Sequence, residues 1–196
     1  MIYIVYHVNV VEGWNTHVQK QKRGTIMNKY PSPLIVIHWM TVILVLTAYA
    51  TSGDPTRGAT TMDFLVGQIH VLSGSLLFIL VICRLFVRRL MTVPEVTAHT
   101  PWLALAARAG HGLLYLFMLL TPVTGWLKLS GKVTFFDAIL FNLPLMGKPG
   151  SLLHQLANYH QTIGNVFITL VGVHAFAALV HHYYIKDNTL KKMLFR

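Results

Sequence analysis

Residues 160–184, HQTIGNVFITLVGVHAFAALVHHYY, are long and apolar enough to cross a bilayer as one helix. They carry His160 near one end and His174 fourteen residues further on. At about 100° per residue, that step leaves the two imidazoles within roughly 40° of one face. At about 1.5 Å per residue, it separates them by roughly 21 Å in depth. An ionisable side chain inside a membrane helix is costly unless it finds a partner, so it marks a candidate functional site. Two histidines stacked on one stripe point to two stacked metal centres.

The composition agrees with a membrane setting. Of 196 residues, 54% are hydrophobic and 11% charged, and the mean hydropathy is +0.55. One compact domain accounts for such a length. Sixteen Lys and Arg against six acids give a formal charge of +10. A nucleic-acid binder would carry that charge on a soluble face with aromatics set between the cations. Here the basic residues cluster between apolar spans, where they set topology.

Three further spans precede the first-quoted one. Residues 34–52 contain His38, residues 64–87 contain His70 and end in Arg84, and residues 105–127 contain His111 and a bend expected at Pro122. Tyr30, Trp39, Trp102, Trp126, Tyr159, Tyr183 and Tyr184 fall at or near span ends, where amphipathic rings settle at headgroup level. Residues 1–28 resemble neither a span nor a secretory signal. They read as an N-terminal extension, disordered or not always translated, ahead of a single domain over 29–196. His7 and His17 within it have no helical partner.

One side of the membrane would hold Lys20, Lys22, Arg23 and Lys29, then Arg84, Arg88, Arg89 and Arg108, then Lys186, Lys191, Lys192 and Arg196. The other would hold Arg57, Lys128, Lys132 and Lys148. Twelve against four places both termini in the cytoplasm. The long connection 128–159, on the outer side, shows no obvious element of its own and so invites a functional reading.

With that orientation each histidine has a depth. His70 and His160 are outer; His38 and His174 are inner. Two six-coordinate haems, each gripped by one imidazole from each of two helices, would use all four. Gly74 and Gly164, each four residues after an outer histidine, would let a flat porphyrin approach the backbone, and Ala178 would do the same below His174. A single histidine more often hydrogen-bonds between helices; four paired in depth favour haem. His154 is a rival outer ligand, and His111 shares the depth of His38, so geometry leaves that pair open. Arg84, fourteen residues after His70, would meet an inner-haem propionate or else snorkel to the surface. Cys83 is the only cysteine, which rules out the C-x-x-C-H attachment signature, so any haem is non-covalent b type. Cys83 itself is expected to pack inside its span.

Several of these runs resemble the bacterial cytochrome b561 family of di-haem four-helix membrane cytochromes. They are Ile37–Trp39 (IHW), QIHVLSG around His70, RLFVRR, RAGHGLLYL around His111, LTPVTGW around Pro122, and the quoted span with its KDNTLKKM tail. The resemblance covers about residues 29–193. It implies an all-α fold, a transmembrane four-helix bundle in the bacterial inner membrane. In it His38 and His174 hold the inner haem b, and His70 and His160 the outer one. It also resolves the tie against His111, which resembles a family position not counted as a ligand.

What the resemblance implies for function is an oxidoreductase passing electrons from a periplasmic donor, superoxide as first choice, through outer and inner haem to ubiquinone. His181 and Lys29 are the expected hydrogen-bonding partners of the quinone at the inner surface. Val36 stands where a hydroxyl two residues before the haem histidine would have helped, so this contact departs from relatives. The alternative is a haem-bearing anchor subunit for a partner dehydrogenase or periplasmic protein. At the outer face four cations against Asp54, Asp63 and Asp137 leave one net positive charge, which permits an anionic donor without demanding one.

Overall fold

The computed structural model describes residues 29–53, 60–94, 100–130, 136–137, 142–143 and 151–195. The extension expected over 1–28, with His7 and His17, lies outside the described residues, as do Arg57, His99, Lys132 and Lys148.

Four helices are long and apolar enough to cross a membrane. They are α1 (Ser32–Ala50), α2 (Thr61–Leu90), α3 (Pro101–Ser130) and α5 (His160–Val180), the last continuing through one π-helical turn, His181–Ile185. The short α4 (Leu152–Ala157) precedes α5, and two-residue strands β1 (Phe136–Asp137) and β2 (Asn142–Leu143) pair antiparallel before it. The connection 128–159 therefore has elements where the sequence showed none. His154 lies on α4, outside the fourth span, as its spacing from His174 implies.

Local chemistry sets the helix ends. Thr60 and Asp63 form a reciprocal capping box, with Asp63 N–H donating to Thr60 Oγ1 at 3.2 Å and Thr60 N–H to Asp63 Oδ2 at 3.1 Å. Thr100 and Pro101 start α3, since proline at the first helical position sacrifices no hydrogen bond. These signals extend α2 and α3 to 30 residues each, beyond their apolar centres and beyond the roughly 20 residues a bilayer requires. The α3 helix continues through Pro122.

Adjacent packing runs α1 on α2, α2 on α3, and α3 on α5. The buried core is a single cluster of Val45, Leu77, Val81, Met118 and Phe167, drawn from all four long helices. Val45, Leu77, Met118 and Phe167 each stand seven residues from a histidine: His38, His70, His111 and His160 respectively. Seven residues are close to two turns, so each histidine shares a face with its core residue about 10 Å away. A further seven residues reach Arg84, Gly125 and His174. The bundle is thus layered, with histidines above and below an apolar middle.

In lipid this core gains no hydrophobic free energy, because the tails outside are equally apolar; close packing holds it instead. Buried hydroxyls of Thr41, Ser73, Ser75, Thr124 and Ser130 donate to carbonyls of their own helices and so remain compatible with it. Cys83 corrects an expectation: it points outward from α2, not into the core. Its neighbours Val81 and Arg84 take the inward positions.

Candidate functional site

The outer layer brings His70 of α2 and His160 of α5 together, ring centres 6.1 Å apart and planes at 80°. His70 Nδ1–H donates to Ala48 O at 2.7 Å, and His160 Nδ1–H donates to Thr121 O at 3.0 Å. A carbonyl can only accept, so each Nδ1 carries the proton and each Nε2 presents its lone pair. Metal-binding histidines are commonly oriented in this way. Thr124 Oγ1, itself bonded to Leu120 O and Thr121 O, lies 3.2 Å from His160 Nδ1 and gives it a second acceptor.

Gly125 completes this layer from α3. A Cβ there would stand 2.9 Å from His160 Cε1, so a side chain would displace the ring. Sequence reasoning missed Gly125, Thr121 and Thr124. The only signal for them was the seven-residue step from His111 and Met118 to Gly125. Of the two glycines it did select, Gly74 has nothing within 4 Å of an added Cβ. Gly164 would meet Thr121 Cγ2 at 4.0 Å, an ordinary packing contact.

The inner layer draws one residue from each long helix: His38, Arg84, His111 and His174. His111 and His174 touch edge to face, ring centres 5.5 Å apart. His38 meets Trp39 edge to face, ring centres 5.7 Å apart, and lies within electrostatic reach of Arg84, His111 and His174. His111 Nδ1–H donates to Ala107 O of its own helix at 2.7 Å. Neither His38 nor His174 makes a side-chain hydrogen bond among the described residues. Arg84 is 9% exposed; its Nε donates to Tyr115 OH at 3.0 Å, while its Nη1 is buried without a partner.

Below this layer the chain turns back on itself. Lys186 adopts a left-handed conformation with φ of 57°, and the Asp187 amide reaches His181 O at 3.1 Å, closing the helix. The Asp187 carboxylate accepts from His181 Nδ1–H at 2.6 Å and from the Thr189 amide at 2.8 Å. Slight burial pushes this carboxyl up, but the hydrogen bonds from His181 and Thr189 outweigh it and hold it at about 2. Trp39 Nε1–H donates to Met193 O at 2.9 Å, and the Tyr30 amide to Lys192 O at 3.3 Å. The tail is therefore tied to the start of α1. Lys29 is exposed beside Tyr30 at the same end of the bundle as His181.

These residues fit a flat iron cofactor. Ring centres about 6 Å apart suit one metal between them, since a metal–imidazole bond takes about 2 Å on each side. Two imidazoles alone under-coordinate a bare ion but complete a porphyrin-bound iron. The open flank of Gly74 offers room, and the unpartnered Nη1 of Arg84 suits a carboxylate. Thr121 Oγ1 and Trp126 Nε1 are further buried polar atoms without partners among the described residues.

Comparison with known proteins bears on the chain as a whole. The family model for prokaryotic cytochrome b561 matches residues 29–196. Cytochrome b561 homolog 1 of Escherichia coli (strain K12) is 33% identical over 173 residues, covering 86% of this chain and 98% of that protein. The probable superoxide oxidase CybB of Yersinia pestis is 31% identical over 170 residues, covering 85% and 96%. Cytochrome b561 homolog 2 of Escherichia coli (strain K12) is 29% identical over 168 residues, covering 80% and 86%. Cytochromes of this kind bind b-type haem and transfer electrons in the membrane. The chain belongs to the prokaryotic cytochrome b561 family.

Proposed function

We propose that this protein is a di-haem b oxidoreductase that takes electrons from a periplasmic donor at its outer layer and delivers them to ubiquinone at its inner surface. The observation that carries this reading is the outer pair: two imidazoles 6.1 Å apart, each with Nδ1–H on a backbone carbonyl and Nε2 free. His70 and His160 hold the outer haem, and His38 and His174 the inner one, with Gly74 and Gly164 lining the outer cleft. A haem b at each layer supplies one-electron chemistry, tuned by its ligands, burial and hydrogen bonds.

The chain's own residues do the rest. Thr121 and Ala48 fix the outer rings in the ligating tautomer. Arg84 offers Nη1 to an inner propionate. His181, with Nδ1–H on Asp187, has the Nε2 lone pair left to accept from a quinol hydroxyl, and Lys29 is the candidate donor to a quinone carbonyl. The twelve-to-four distribution of basic residues supports an orientation with both termini in the cytoplasm, so His181 faces inward.

Superoxide is the first-choice donor because it is small, and a relative 31% identical carries the name probable superoxide oxidase. Mixing the purified oxidised protein with superoxide should reduce its haem faster than spontaneous dismutation removes the reagent. A haem that stays oxidised rejects that donor. Copurification of a stoichiometric redox partner from native membranes would favour the anchor-subunit alternative.

A further inference from the structure

The two layers differ in charge. Arg84 is the only charged side chain among the buried described residues, and it belongs to the inner layer. No carboxylate pairs with it among the described residues. Its one side-chain bond, Nε–H to Tyr115 OH at 3.0 Å, joins α2 to α3 across 31 positions of sequence. A guanidinium is a rigid planar fork, so fixing Nε also fixes where Nη1 aims. Nη1 is the atom left buried and unpartnered. In the outer layer, the corresponding α2 position is His70, and α3 contributes Gly125.

We infer that Tyr115 is a positioning residue for Arg84, and that the buried guanidinium makes the inner haem the more easily reduced of the two. This rests on the two-haem reading proposed above. Transfer between the layers oxidises the outer iron and reduces the inner one, moving one electron and no proton. The receiving centre gains negative charge, and a cation in a low-dielectric interior stabilises that gain strongly. The sign holds if Nη1 meets a propionate, because neutralising a nearby carboxylate also removes negative charge from around the iron. Electrons then run downhill from outer layer to inner, and the direction of flow is written into one hydrogen bond between α2 and α3.

The test is a potentiometric titration of the purified full-length protein, followed by haem absorbance, with haem content measured first. Two haems per chain is the requirement of the proposed function; a count of one defeats that reading whatever the potentials show. With two present, His160→Ala should retain only the higher-potential wave. Tyr115→Phe, which removes one hydroxyl, should lower that wave and leave the other in place. Arg84→Gln should lower it further, and if that variant loses haem the Tyr115→Phe result decides. The inference is overturned if His160→Ala retains the lower wave, or if Tyr115→Phe moves neither wave, moves both equally or raises the higher one.

Discussion

The outer and inner layers place histidines at the same seven-residue rhythm but hold them by different means. In the outer layer each imidazole is tethered through Nδ1 to a backbone carbonyl, and Gly125 clears the space of His160. In the inner layer His38 and His174 have no such tether among the described residues. What surrounds them is a third histidine, His111, and the buried cation Arg84. The outer layer is organised by hydrogen-bond geometry and the inner by charge. Identical imidazoles can therefore be held with different rigidity and in a different electrostatic field.

On the proposed function, the largest test of that contrast removes one imidazole at a time. His70→Ala or His160→Ala should empty the outer site alone and halve the haem content, and His38→Ala or His174→Ala should do the same at the inner site. His111→Ala should leave both filled. If His111→Ala empties the inner site while His38→Ala leaves it full, the inner assignment fails.

A smaller effect should follow from Gly125→Ala. The added Cβ would stand 2.9 Å from His160 Cε1. Relieving that overlap should cost about 1–3 kcal/mol, read as weaker retention of the outer haem during thermal challenge, with the inner haem unaffected. Equal loss from both sites would show that the glycine serves general packing. Thr124→Val should be milder still, about 1 kcal/mol for the lost hydrogen bond to His160, again confined to the outer haem.

The smallest effect lies below the inner layer, at the Asp187 tie. A depressed carboxyl contributes stability that is present above its ordinary value of 3.8 and is lost as pH falls through about 2. Hydrogen exchange at the Asp187 and Thr189 amides should therefore rise above its intrinsic trend only across that window. Asp187→Asn should show the faster exchange at every pH. No difference between the variant and the native chain would mean the tail is held by Trp39 and Tyr30 alone.

Much of this architecture was legible in the sequence, because hydropathy and helical periodicity report on faces and depths. The four spans, the placement of His70 beside His160, and the separation of His154 from α5 all follow from such counting. Boundaries were less legible, since the Thr60–Asp63 box and the Thr100–Pro101 start extend α2 and α3 past their apolar centres. Gly125 was missed because its role is a contact across helices, signalled only by the seven-residue step from His111 and Met118. The bond from Arg84 to Tyr115 joins two different helices, and the turnover of the tail onto Trp39 joins residues 154 positions apart. No local pattern encodes either. His38 and His111 could not be separated by depth for a physical reason: the structure places both in one layer around His174.

The apolar middle of the bundle also has an electrical meaning. Val45, Leu77, Val81, Met118 and Phe167 offer no group through which a proton could hop. On the proposed function, an electron passing between the layers crosses roughly 21 Å of a roughly 30 Å insulator unaccompanied. A full crossing of one charge against 100 mV requires about 2.3 kcal/mol, so this passage stores about two thirds of that. Each turnover would leave the cytoplasmic side more negative, making the protein a small generator of membrane voltage as well as a conduit.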